Sequence, residues 1–126
     1  MTEIIEVFVD SSWFKAGIYC EELGWVFSIP YEKTLKTNQG EFTAMQLAFE
    51  ALTEVIDKLK RPVFVYTDSW LVYKGFTGNW NIKDKALKLL LEQILIDNET
   101  LAAFGVNVHI QWIPREKNTK ADELTH

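Results

Sequence analysis

The sequence has a single cysteine, Cys20, so no intramolecular disulfide can form and a disulfide-stapled secreted domain is excluded. A lone thiol is also a candidate nucleophile, but Cys20 lies in the strand-like run Ile18-Tyr19-Cys20, where it reads as a small packed hydrophobe. No apolar stretch approaches the roughly 20 residues that span a bilayer, and Met1-Thr2-Glu3 lacks the basic flank of a secretory leader. A protein of the reducing cell interior, cytoplasmic and without membrane contact, is therefore expected. No glycine-rich loop with a lysine is present to cradle phosphates, which speaks against nucleotide binding or phosphotransfer. Positive charge is not in excess either: 13 Lys and Arg against 18 Asp and Glu leave a net charge of −5. That balance argues against a high-affinity basic module for nucleic acid. Repeats, low-complexity tracts and linkers are missing. The 126 residues suffice for one core and not for two, so a single domain over residues 1–126 is expected. No segment calls for an obligate protein partner, and a monomer is the simplest expectation.

What is present is an alternation of hydrophobic periods. Residues 3–10, 16–22 and 25–29 read as three strands joined by short connections, an antiparallel meander. Residues 41–60 then switch to helical spacing, with Met45, Ala48, Phe49, Leu52, Val55, Ile56 and Leu59 on one stripe, up to Pro62. Residues 63–67 are a continuous apolar run, as in a strand buried on both faces. A short helix from near Ser69 to the Gly75–Gly78 turn, a Leu-rich helix over 82–103, a strand over 106–112 and a helical turn from Thr119 complete the chain. A right-handed crossover through the first helix lets the first and fourth strands pair in parallel.

Four acids stand at element boundaries. Asp10 closes the first strand, Asp68 closes the fourth, Glu41 opens the long helix, and Asp122 lies in Ala121-Asp122-Glu123-Leu124. Parallel pairing of strands one and four places Asp10 and Asp68 side by side at the carboxyl ends, where ligand sites of open α/β sheets form. Carboxylates crowded there repel one another and resist ionisation unless a divalent cation neutralises them. Two such cations would also offset much of the formal negative charge and make the cleft locally positive. Three of the acids have structural alternatives. Glu41 fits the third position of a capping box begun by Asn38, Thr119 and Asp122 form a similar pair, and Asp68 fits as the cap of a helix starting at Ser69. Asp10 follows a buried strand with no helix behind it and has no such alternative.

Four segments together resemble the type 1 ribonuclease H family over nearly the whole chain. They are Phe8-Val9-Asp10-Ser11-Ser12, Asn38-Gln39-Gly40-Glu41, Tyr66-Thr67-Asp68-Ser69 and Trp112-Ile113-Pro114-Arg115-Glu116-Lys117-Asn118-Thr119-Lys120-Ala121-Asp122-Glu123-Leu124. The resemblance implies an α/β ribonuclease H-like fold, a five-stranded mixed sheet of order 3-2-1-4-5 flanked by helices. It implies an endonuclease that hydrolyses the RNA strand of RNA/DNA hybrids with two divalent cations, Mg²⁺ or Mn²⁺, leaving 5′-phosphate products. The family's four metal-binding acids correspond to Asp10, Glu41, Asp68 and Asp122. By the same resemblance Asp10 bridges both ions, Glu41 and Asp68 serve the side of the attacking water, and Asp122 serves the leaving group.

Departures from the family pattern are specific. Ser11 stands where members usually carry glycine. The loop from Trp112 to Asp122 is short and has no histidine, as in the family's short-loop branch, and neither His109 nor His126 is a convincing replacement. The basic protrusion is missing, since Gly78-Asn79-Trp80-Asn81-Ile82 runs directly into the next helix; weak hybrid binding that falls steeply with salt is expected. Candidate substrate contacts are Ser11, Asn38, Gln39 and Ser69, with the 2′-OH as the feature that marks RNA. Arg115 is a candidate phosphate contact, and Asn118 either orients the last helix or touches the site. Trp13, Trp25 and Trp112 read as core or strand aromatics; Trp70 and Trp80 read as packed or as stacking surfaces. The competing functions are a hybrid-binding domain of this fold that has lost catalysis and another nuclease of the same superfamily.

Overall fold

The computed structural model describes residues 4–126; residue 3, the expected start of the first strand, lies outside the described residues. Strands β1 (Ile5–Ser11), β2 (Lys15–Cys20) and β3 (Trp25–Pro30) form the meander. Helix α1 (Thr37–Glu54) and a 3-10 turn at Ile56–Lys58 lead to β4 (Val63–Thr67). Helices α2 (Trp70–Phe76) and α3 (Lys85–Ala103), strand β5 (Val108–Trp112), a 3-10 turn at Arg115–Lys117 and α4 (Thr119–Glu123) follow. The sheet order is β3-β2-β1-β4-β5, with β4 and β5 parallel to β1, as expected.

Alternation along the strands sorts their two faces. Ile5, Val7 and Val9 of β1, Ile18 of β2, and Val63 and Val65 of β4 are fully buried, together with Phe42, Met45, Phe49 and Leu52 of α1 and Ile94 and Leu101 of α3. Burying each such side chain is worth roughly 1.5–3 kcal/mol, so this two-layer contact dominates stability. Val9 pairs with Ile18 and Asp10 with Gly17, which puts Asp10 and Gly17 on the other face. There α4 packs against β1 and β2. A Cβ on Gly17 would collide with the Ala121 carbonyl and lie 3.0 Å from Leu124 Cβ, so glycine is what allows α4 to sit this close.

Three helix boundaries differ from the sequence reading. Helix α1 begins at Thr37, four residues before the apolar stripe, because the polar segment Thr37-Asn38-Gln39 carries no periodic signal. It ends at Glu54, where Val55 leaves helical geometry, so Ile56 and Leu59 lie beyond it. Helix α3 starts only at Lys85, because the Asp84 carboxylate accepts from the Leu87 amide at 3.1 Å and caps it there.

Candidate active site

Register carries two of the acids together. The last paired residues of β1 and β4 are Val9 and Thr67, and Asp10 and Asp68 each follow by one residue. Glu41 comes from α1, as its fifth residue rather than as a cap; the capping position is Lys36, without a side-chain bond. The capping-box alternative for Asn38 and Glu41 is thereby removed. Asp68 is likewise no cap, since Ser69 Oγ accepts from the Val72 amide at 3.2 Å and does that work. The Thr119–Asp122 pair is absent too: the capping position of α4 is Asn118, without a side-chain cap bond. Freed of these duties, one carboxylate oxygen each from Asp10, Glu41 and Asp68 falls within 4.8 Å of the others.

Burial and mutual repulsion raise all three acids above the ordinary carboxylate range. Burial, then the charge of Asp68, pushes Asp10 up to about 7, and burial, then Asp10, pushes Glu41 up to about 9. Asp68 is also raised, chiefly by burial, against hydrogen bonding from Asn118 and the charge of Arg115. Three converging oxygen donors that resist ionisation alone are the donor set a hard divalent cation requires, so the residues fit a metal. Asp122 stands outside this trio. It is lowered first by its hydrogen bond to His126, whose Nε2 lies 3.2 Å from Asp122 Oδ2. Its interaction with the more buried Asp10 lowers Asp122 and raises Asp10.

All four acids line one groove of about 610 Å³, together with Ser11, Asn38, Ser69 and Arg115 among the expected contacts. Gln39 lies instead on an adjoining groove with Trp13 and Lys36. Ser11 is turned inward: its Oγ sits 2.7 Å from the Tyr31 hydroxyl, which donates to the Gly40 carbonyl at 3.1 Å. A Cβ on Gly40 would lie 2.6 Å from Ser11 Oγ, so the strand end and the turn carrying Glu41 interlock through a serine and a glycine. Asn118, grouped from sequence with the substrate contacts, is fully buried behind the acids. Its Nδ2 donates to the Val9 carbonyl at 2.8 Å, and hydrogen bonding from its side chain acts to lower Asp68. Buried to this degree, it does not line the groove.

His126, set aside on sequence, is in the groove and on Asp122; its i,i+4 spacing from Asp122 on the last helical turn is the signal that could have found it. Of the tryptophans read as core or strand aromatics, Trp25 is buried in β3 and Trp112 ends β5 while 38% exposed, whereas Trp13 lies in the β1–β2 turn and is 60% exposed.

The family described as reverse transcriptase-like matches residues 16–126, a span that holds Glu41, Asp68 and Asp122. No curated protein sequence matches the chain. Among solved structures, LC11-RNase H1 in complex with RNA/DNA hybrid aligns with a TM-score of 0.73 at 29% identity, covering 96% of this chain and 91% of that one. LC11-RNase H1, isolated from compost by a metagenomic approach, also aligns in another structure at 0.71 and 29% identity, over 96% and 90% of the two chains. RNase H1 of the halophilic archaeon Halobacterium salinarum NRC-1 shares the fold at 0.71 and 23% identity, over 96% and 93%. With that match spanning most of its length, and with sheet order and acid placement in agreement, the chain belongs to the reverse transcriptase-like family and within it to the type 1 ribonucleases H.

Proposed function

We propose that this protein is a metal-dependent endonuclease that hydrolyses the RNA strand of RNA/DNA hybrids. The observation that carries the reading is the meeting of Asp10, Glu41 and Asp68 within 4.8 Å at the carboxyl ends of two parallel strands. These three, with Asp122 from α4, would hold two divalent cations, Mg²⁺ or Mn²⁺. When bound, such ions neutralise a phosphodiester and promote in-line attack by water, with a 3′ oxygen as the leaving group and a 5′-phosphate product. The protein's own part is placement. Asn118 ties the start of α4 to the end of β1 beside Asp10, and the Ser11–Tyr31–Gly40 chain fixes the turn that carries Glu41. Arg115 brings positive charge to the rim, lowering the acids it faces, and is placed for a phosphate of the incoming strand. Ser11 Oγ is engaged within the protein, which leaves Asn38 and Ser69 as the groove's polar contacts to ribose. The same reading makes the protein an intracellular monomer that acts on hybrid without a protein partner. The fully buried free thiol of Cys20 accords with that, and no helix among the described residues is long and apolar enough to cross a membrane.

The test is cleavage of a labelled RNA/DNA hybrid beside double-stranded RNA and double-stranded DNA, with Mg²⁺, with Mn²⁺ and with EDTA. Metal-dependent cutting confined to the RNA strand of the hybrid is expected. A protein that binds hybrid but never cuts it, in either metal, would support the non-catalytic alternative instead.

A further inference from the structure

The groove's chemistry leaves a question of grip. Among the described residues that line it, Arg115 is the one lysine or arginine, against four acids. The groove's own cationic side chains therefore contribute little to holding a duplex. What the walls do offer is indole. Trp13, from the β1–β2 turn, lines one side and is 60% exposed, with only its Nε1 engaged, donating to Thr37 Oγ1 at 3.4 Å. Trp70, at the start of α2, lines the groove beside Asp68 and is 47% exposed. Its orientation is set by Trp112, edge-on at 5.5 Å, and by Tyr73, stacked at 5.6 Å, while Lys74 Nζ lies 4.9 Å from the ring centre. Trp13 is thus held by one edge and Trp70 is framed by Trp112, Tyr73 and Lys74, yet both stay well exposed where they line the groove.

The geometry points to Trp13 and Trp70 as a pair of aromatic walls that grip the sugar–phosphate edges of the hybrid on either side of the acids. This rests on the hybrid-cleaving reading and adds how the substrate is held. Bases in a duplex are paired and stacked, so the surfaces available to an indole are the sugar faces. At the Trp70 wall a ring beside an ammonium suits a sugar with its phosphate. Because few counterions are released on binding, affinity should vary only shallowly with salt. That reverses the steep dependence expected from the missing basic protrusion.

The experiment is fluorescence anisotropy of a labelled RNA/DNA hybrid with Mg²⁺, in the Asp68→Asn protein so that no cutting intervenes, at several NaCl concentrations. Trp13→Ala and Trp70→Ala should each weaken Kd about 10-fold, the scale of one lost stacking contact. The slope of log Kd against log salt should stay that of the parent, since no phosphate contact is removed. Trp13→Phe and Trp70→Phe should bind within about threefold of the parent. Alanine variants that bind within about twofold of the parent, or phenylalanine variants as weak as the alanine ones, overturn the assignment. Binding is read here without cleavage. Failure of the wild-type protein to cut hybrid would therefore count against the proposed function and leave this result to stand or fall separately.

Discussion

At the scale of single residues the site is a set of small, mutually dependent fits. Asp68→Asn keeps the shape of the side chain and removes a charge that burial disfavours, so the protein should fold normally and lose turnover by a factor of at least about 1,000, as measured on hybrid. Hybrid cleavage near the wild-type rate would remove Asp68 from the site. The Ser11–Gly40 contact makes a sharper stability prediction. Gly40→Ala should lower stability by about 1–2 kcal/mol in urea melts, although alanine is the better helix former, because the new methyl meets Ser11 Oγ at 2.6 Å. Adding Ser11→Ala should restore most of the loss. The nearest remaining neighbours, the Ser12 carbonyl at 3.4 Å and Ser11 Cβ at 3.6 Å, are close to ordinary contacts. Additive losses in the double variant would show that the two positions do not interlock.

At the scale of elements, β1 and β4 bring Asp10 and Asp68 together by register alone, and this was legible in the sequence as two apolar runs each closed by an aspartate. Glu41 was legible as a residue and misplaced as an element, because Thr37-Asn38-Gln39 forms a helical turn without any apolar repeat to announce it. The position of α4 was not legible at all. It depends on Gly17, over a hundred residues earlier, presenting no Cβ to the Ala121 carbonyl. His126, by contrast, meets Asp122 through the local i,i+4 spacing of the last helical turn, a signal the sequence carried. Exposure of Trp13 was missed because aromatic composition signals burial and says nothing about a turn that holds its ring by one edge. Gly17→Ala should therefore displace α4 and Asp122 with it. We expect kcat on hybrid to fall at least 10-fold, with a melting temperature lowered by only a few degrees. A melting temperature lowered with kcat intact would show that α4 does not set the active geometry.

At the scale of the whole molecule, the acid cluster sets the pH dependence. Asp10 and Glu41 stand near 7 and 9 in the folded protein, above their ordinary values of 3.8 and 4.5. Below about pH 4 both folded and unfolded chains hold these protons. As pH rises, the unfolded chain releases them first, so the protein without divalent ions should lose stability from about pH 4 until the folded groups ionise near 7 and 9. Cations compete with those same protons, so the stabilisation they confer should grow over the same window. The most direct test of the central claim, that folding gathers these acids to hold divalent ions, is the melting temperature with and without Mn²⁺ at pH 5 and at pH 8.5, for the wild-type protein and for Asp10→Asn. The account predicts a rise on the order of 10 °C at pH 8.5 with Mn²⁺ a hundredfold above its Kd, a much smaller rise at pH 5, and little response in the variant. An equal response at both pH values, or one that survives Asp10→Asn, would contradict it.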